Sequence, residues 1–350
     1  MGNSCQQRVS GLRASPFQVS YENTACIPTL LKEEDLLVLI SFGQEVRGGG
    51  GDPRLVTVEL PELGGESTLE VWRAPCAPET GYDGEIRYSR TDAVLFGCLP
   101  FEEGRVPGME QATYYAYRSI LACQQRLGYP YLLRTWNYLP DIHREEGGLE
   151  RYRAFCLGRH RILETTPNFE HHLVAATAMG TRTSQGLIYF LAALEPGVRV
   201  ENPRQVSAFH YPSRYAPRSP SFSRATLKSW GSEAHLYISG TASIVGHETQ
   251  HVGNPSAQLD EILNNLQALA DNARCLHGLK IQALNELSLL KVYLRQGVDR
   301  ASIAQRLQQR LGGGVPTLFL QGDICRNDLL LEIEAFHAGA IESPDETPRE

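Results

Sequence analysis

What the sequence lacks narrows the field first. None of its eight cysteines, at 5, 26, 76, 98, 123, 156, 275 and 325, forms a CxxC pair. With no secretion signal ahead of them, they read as reduced thiols of a cytoplasmic protein, mostly filling core space. No run of 18 apolar residues occurs, so no transmembrane helix is expected. The stretch MGNSCQQRVSGLRASPF has no apolar core, so it is not a signal peptide. Gln6 stands where an N-acylation signal needs Ser or Thr. Basic charge is in deficit: 33 Lys and Arg against 40 Asp and Glu give a net charge of -7. That argues against bulk nucleic-acid affinity and leaves room for a local anion pocket.

What is there is globular. Apolar residues make up 42% and charged residues 21% of 350, enough for one large domain or two ordinary ones. Residues 1–17 read as a flexible arm and 338–350 as a disordered acidic tail. Glycine-rich loop tips at 44–54 and 61–67 flank an alternating strand, VTVEL.

Between these ends the pattern β-α-β-α-β-β occurs twice. The first copy has strands at 93–101 and 131–139, helices near 109–127 and 148–161, and closing strands at 172–180 and 186–194. The second has strands at 235–245 and 287–295, helices at 256–275 and 301–312, and a closing hairpin of 316–326 with 329–336. Asn254-Pro255 is a cap and first-turn pair, and Leu259, Ile262, Leu263, Leu266 and Leu269 keep the 3.6 period. The fold class is α+β: two repeats, each a mixed sheet with helices on one face. The expected domains are 18–195 and 226–337, joined by a Tyr/Arg-rich linker at 196–225. That linker carries arginines at 199, 204, 214, 218 and 224 beside Tyr211 and Tyr215. It reads either as an exposed basic connector or as an anion-binding segment folded over a pocket.

Two motifs are weighed and set aside. His247-Glu248-Thr249-Gln250-His251 fits H-E-x-x-H, but zinc chemistry needs it on a helix. An alternating run precedes it and Val252-Gly253-Asn254-Pro255 stops any helix after it, so no metal site is expected. Cys325 has no protease context, and spacing alone makes it core. Glu332 is the stronger candidate. In the aligned final strands GLIYFLAA and LLLEIEAF it replaces Tyr189, with Glu334 on the same face two residues on. A carboxyl in an apolar strand is costly unless paired or used, and desolvation raises its pKa toward that of a general acid. The alternative is a salt-bridged structural carboxylate.

At this point a resemblance enters. ISGTASIVGH, the helix with ILNNLQAL, and GDICRNDLLLEIEAF look like the YjgF/RidA (chorismate mutase-like) fold. ENPRQVSAFHYP, SPSFSRA, SGTASIVGHETQH and DICRNDLLLEIEA together resemble the chorismatases, over about 200–336, and GLERYRAFCLGR extends the match into the first half. The first 90 residues carry no clear signature. The resemblance implies removal of the enolpyruvyl group of chorismate as pyruvate, without metal or organic cofactor. Glu332 falls on the family's catalytic glutamate. Cys325 and Gly240 match the branch that forms 3-hydroxybenzoate, some members with 4-hydroxybenzoate alongside, and Gln205 fits it too. The hydrolytic branch tends to alanine at the first two positions. Ordinary RidA proteins hold a carboxylate with an arginine in the penultimate strand. Val315-Pro316-Thr317 has none, so imine hydrolysis is not expected.

Chorismate is a dianion, and two cationic clamps are expected, Arg151 and Arg224, with Tyr211 beside them. Neutral Glu332 would protonate the enolpyruvyl methylene, while Cys325 and Gly240 shape the rearrangement. The alternatives are a hydrolytic chorismatase giving a dihydroxycyclohexadiene carboxylate, and a RidA-like ligand-binding protein without turnover. Free RidA proteins are trimers with pockets between subunits. Two repeats in one chain supply such contacts internally, so a monomer or a RidA-like trimer is expected.

Overall fold

A computed structural model describes residues 15–43, 51–65, 67–102 and 107–342. Most of the arm, most of the 44–54 loop, Cys5 and the end of the tail lie outside them.

The two repeats are present and share one topology. In the second, Thr317–Gln321 runs parallel to Leu289–Leu294, which pairs antiparallel with Leu331–Ala340, which pairs antiparallel with Glu233–Thr241. In the first, Ala175–Thr181, Tyr131–Pro140, Gln185–Ala193 and Val94–Glu102 follow in the same order and senses. Each sheet has six strands. The expected closing hairpin is corrected here. Both edges of Leu331–Ala340 are taken by Leu289–Leu294 and Glu233–Thr241, so Thr317–Gln321 pairs elsewhere.

The span 18–195 holds a further sheet that the sequence hid. Leu55–Val58 runs parallel to Leu36–Phe42, which pairs antiparallel with Thr68–Arg73, which pairs antiparallel with Gln18–Asn23. This is the same order and the same senses a third time. The first helical connection is cut to one turn, Ile27–Leu30.

Long helices cover one face of each larger sheet, and the opposite faces of all three sheets meet in one core. Trp72 from the small sheet, Trp136 and Tyr189 from the first repeat and Tyr293 from the second belong to that cluster. Helix Pro255–His277 starts where Asn254 accepts from the Ala257 amide at 3.1 Å, with Pro255 in its first turn. Leu259, Ile262, Leu263, Leu266 and Leu269 face the second sheet. Helix Arg151–Leu163 lies against Gly108–Leu127, where a Cβ on Gly158 would stand 2.1 Å from the Glu110 carbonyl oxygen. Only glycine permits that approach, and it sets which side of the helix faces the first sheet.

Both ends reach further into the fold than expected. Phe17 is buried and stacked on Trp72, and Ser15 bonds His235, so the arm docks before residue 17. Leu331–Ala340 passes the expected tail start at 338, and Ala340 pairs with Glu233. Among the described residues no helix is long and apolar enough to cross a membrane.

Candidate active site

A pocket opens between the two repeats, with about 450 Å³ of unfilled space that includes its open mouth. Helix Arg151–Leu163 supplies Tyr152, Phe155, Cys156 and Arg159, and strand Ala175–Thr181 supplies Ala176, Thr177 and Ala178. Gly240, Cys325 and Glu332 come from the second repeat. The connector closes the pocket with Pro220, Ser221 and Phe222. This part of the connector is folded over the pocket rather than lying as an exposed strap.

Glu332 is buried, and among the described residues its carboxyl has no hydrogen-bond partner. Burial, followed by the charge of Glu334, pushes it up to about 8, against the pull of Arg134 and Arg224. Glu334, on the same face, has the opposite surroundings. Its Oε1 accepts from Trp136 Nε1 at 3.0 Å and lies 2.8 Å from Lys291 Nζ. Its Oε2 accepts from Thr177 at 2.6 Å and Arg134 at 3.1 Å. Burial alone would raise this carboxyl, but Lys291 and Arg134 hold it down at about 2. Two neighbouring carboxyls are thus split, one protonated near neutrality and one ionised. That is the pattern of an acid with a fixed electrostatic partner.

Gly240 sits beside Glu332. A Cβ there would stand 1.8 Å from Glu332 Oε1. The side chain first met by a methyl group would be Glu332 itself. Cys325 also lines the pocket, and burial pushes its thiol up to about 12. It is a neutral wall near neutral pH, since only the thiolate is a strong nucleophile.

Arg159 is the cation in the lining, and sequence reasoning missed it. It is buried, donates to Thr135 Oγ1 at 3.3 Å, lies over the Tyr117 ring, and keeps a buried Nε without a partner. Ser221 Oγ is likewise buried and unpartnered. Arg151 lies outside the lining. Its guanidinium donates to the Pro140 carbonyl at 2.7 Å and to Glu146 at 3.2 Å, tying the helix start to the strand before it. Arg224 and Tyr211 are outside the lining too; Arg224 is buried close to Glu332 and donates to the Val206 carbonyl at 2.9 Å and to the Tyr211 hydroxyl at 2.6 Å, with its Nε unpartnered. Tyr211 also lies 5.2 Å from the Arg326 guanidinium. Gln205 lies outside the lining, and its amide donates to the Ile244 carbonyl at 3.0 Å, stitching the connector to the next hairpin. One residue on, the Val206 amide donates to the Gly246 carbonyl.

The H-E-x-x-H run forms a turn of hairpin in which Glu248–Thr249 pairs with Ile244–Val245. His247 contacts Tyr215 and Arg214, while His251, at φ 56°, faces Glu261. The two imidazoles serve separate partners. Among the described residues no cluster of His, Cys, Asp and Glu could hold a metal ion.

The family model described as "Chorismatase FkbO/Hyg5-like, N-terminal" matches residues 70–192. A chorismatase of Streptomyces hygroscopicus is 37% identical, over 95% of this chain and 98% of its own length. A 3-hydroxybenzoate synthase of the same organism is 35% identical over 77% of this chain and 81% of its own. A chorismatase crystal structure superposes with a TM-score of 0.82 at 34% identity, covering 94% of this chain and all of that one.

Proposed function

The chain belongs to the chorismatase family, and on that footing we propose that it converts chorismate into pyruvate and 3-hydroxybenzoate. The observation that carries the reading is a contrast between two carboxyls on one strand face: Glu332 lines the pocket between the repeats, while Glu334 is saturated by Trp136, Lys291, Arg134 and Thr177.

Chorismate brings two carboxylates. Arg159 and Arg224 each keep a buried Nε free for one of them, and Ser221 offers a hydroxyl. Arg159 takes the role that the sequence suggested for Arg151. Tyr211 holds the Arg224 guanidinium in place. Glu332 gives its proton to the enolpyruvyl methylene, and an oxocarbenium ion forms at the ether carbon. The negative Glu334 two residues on favours that developing positive charge. The ring 4-hydroxyl oxygen then attacks the adjacent ring carbon and the ether oxygen leaves with pyruvate. The hydroxyl proton returns to the Glu332 carboxylate, which restores the acid. The epoxide-like product aromatises to the hydroxybenzoate. The atoms of chorismate equal those of pyruvate plus hydroxybenzoate, so no water enters.

Two residues favour this route over hydrolysis. Gly240 lets the Glu332 carboxyl lie close against the strand, and Cys325 fills the wall beside it with a neutral thiol. The chain contains three sheets of one topology around a shared core, and we infer that it works as a monomer. Cys26, Cys98, Cys123, Cys156, Cys275 and Cys325 are free thiols, which suits the reducing cytoplasm. The test is incubation of the purified protein with chorismate, a coupled dehydrogenase assay for pyruvate, and chromatography of the ring product.

A further inference from the structure

Strand Glu233–Thr241 slips register against Leu331–Ala340. Ile238 faces Ala335 and Thr241 faces Ile333, so Ser239 and Gly240 together oppose Glu334 alone. Such a bulge takes a backbone amide out of the ladder and leaves it needing another acceptor. The Gly240 amide finds one across the repeat boundary, donating to Thr177 Oγ1 at 3.1 Å.

Thr177 has one hydroxyl proton, and its neighbours decide where it goes. The Gly240 amide and the Arg134 guanidinium, at 2.5 Å, are both obligate donors. The proton therefore points at Glu334 Oε2, 2.6 Å away. Glu334 then receives four donors: Trp136, Lys291, Arg134 and Thr177. Its four lone-pair positions are filled, and a proton of its own would have to displace one of them. Lys291 is fixed in turn by Glu70 at 2.8 Å, so the cluster is anchored in the core of all three sheets.

We propose that Thr177 is a positioning residue for the acid: its hydroxyl ties the bulged Gly240 amide to the Glu334 carboxylate and so fixes the wall against which the Glu332 carboxyl sits. The proposal rests on the reading of Glu332 as the proton donor. Glu332 is faced by Glu334 from its own strand, Arg134 from Tyr131–Pro140, Arg224 from the connector, Cys325 from the preceding loop, and Tyr152 from helix Arg151–Leu163. Thr177 carries no charge. It links two of these groups to the one residue whose missing side chain leaves the carboxyl its place.

The experiment compares Thr177→Val, which keeps the shape and loses the hydroxyl, with Thr177→Ser, which keeps the hydroxyl. Pyruvate release is followed at varied chorismate across pH 5–10. The valine variant is expected to lose roughly tenfold or more in kcat with KM within about threefold, the pattern of a misplaced group rather than lost binding. The serine variant should stay within about threefold of wild type, since the hydroxyl alone carries the tie. A valine variant with wild-type kcat and pH profile, or a serine variant that falls as far as valine, would overturn the proposal. If valine does not fold, Thr177→Ala takes its place, with the same loss of roughly tenfold or more in kcat and KM within about threefold expected. An alanine variant with wild-type kcat would overturn the tie. Wild-type protein that releases no pyruvate would overturn the chorismatase reading itself, whereas wild-type turnover with an unaffected valine variant overturns this proposal alone.

Discussion

A Cβ on Gly240 would stand 1.8 Å from the Glu332 Oε1. The group in the way is the end of a flexible side chain, so alanine can be accommodated if the acid moves. The cost therefore falls on catalysis more than on folding. Gly240→Ala should keep the fold, lower pyruvate release by about 10- to 100-fold, and shift product toward the dihydroxy diene acid as the displaced carboxyl admits water. Chromatography at equal chorismate consumption measures the ratio. An unchanged rate and ratio would mean the carboxyl does not occupy this place during turnover.

Cys325→Ala removes a neutral thiol from the wall beside the acid. Because the thiol is pushed up to about 12, no nucleophilic step depends on it. Pyruvate release should stay within roughly tenfold of wild type while the product ratio changes, since the effect is on fit rather than on proton transfer. Complete loss of pyruvate release would point instead to a covalent role.

The acid imposes a pH dependence with a definite sign. As the proposed proton donor Glu332 has to be protonated to act, so kcat should hold through neutrality and fall as pH rises through about 8. The same shift acts on stability. A folded value raised above the unfolded one means that the folded state holds a proton the unfolded chain has released. The contribution is present in full below about 4.5 and is lost as pH rises through about 8. Glu334 has the reverse sign: its contribution is present above its ordinary value and is lost as pH falls toward about 2. Thermal melts at pH 6 and 9 should show a smaller alkaline loss for Glu332→Gln than for wild type. Equal losses would place the raised carboxyl elsewhere.

The two arginines of one helix should separate cleanly. Arg159→Met removes a pocket cation and should raise KM by about 10- to 100-fold, the worth of one charge-assisted contact. Arg151→Met cuts the ties to Pro140 and Glu146, and should lower the melting temperature with KM little changed. The opposite pattern would return the clamp to Arg151.

Why the sequence pointed to one arginine and not the other is a matter of helical phase. Positions 151 and 159 differ by about 80° around the axis, and periodicity alone does not say which side meets a pocket. The Gly158 contact with Glu110 fixes that rotation, and it is a long-range contact. Glu332 was legible because a carboxyl in an apolar strand is anomalous in any context. The two large repeats were legible from their amphipathic helices. The small sheet was not: Leu36–Phe42 is buried at all seven positions, so it shows no alternation, and its helical connection has shrunk to one turn. The bulge at Gly240 was invisible for the same reason as Arg159, since it exists only in the pairing of two distant strands.

The central claim is that neutral Glu332 protonates chorismate and that the ring then closes on itself without water. The most direct test follows product ring protons by NMR while purified protein consumes chorismate, with Glu332→Gln alongside. The account predicts one pyruvate and one 3-hydroxybenzoate per chorismate for wild type, and a rate lower by roughly 10²–10⁴-fold for the variant. Diene signals in place of aromatic ones would contradict the intramolecular step, and a variant within tenfold of wild type would contradict the acid.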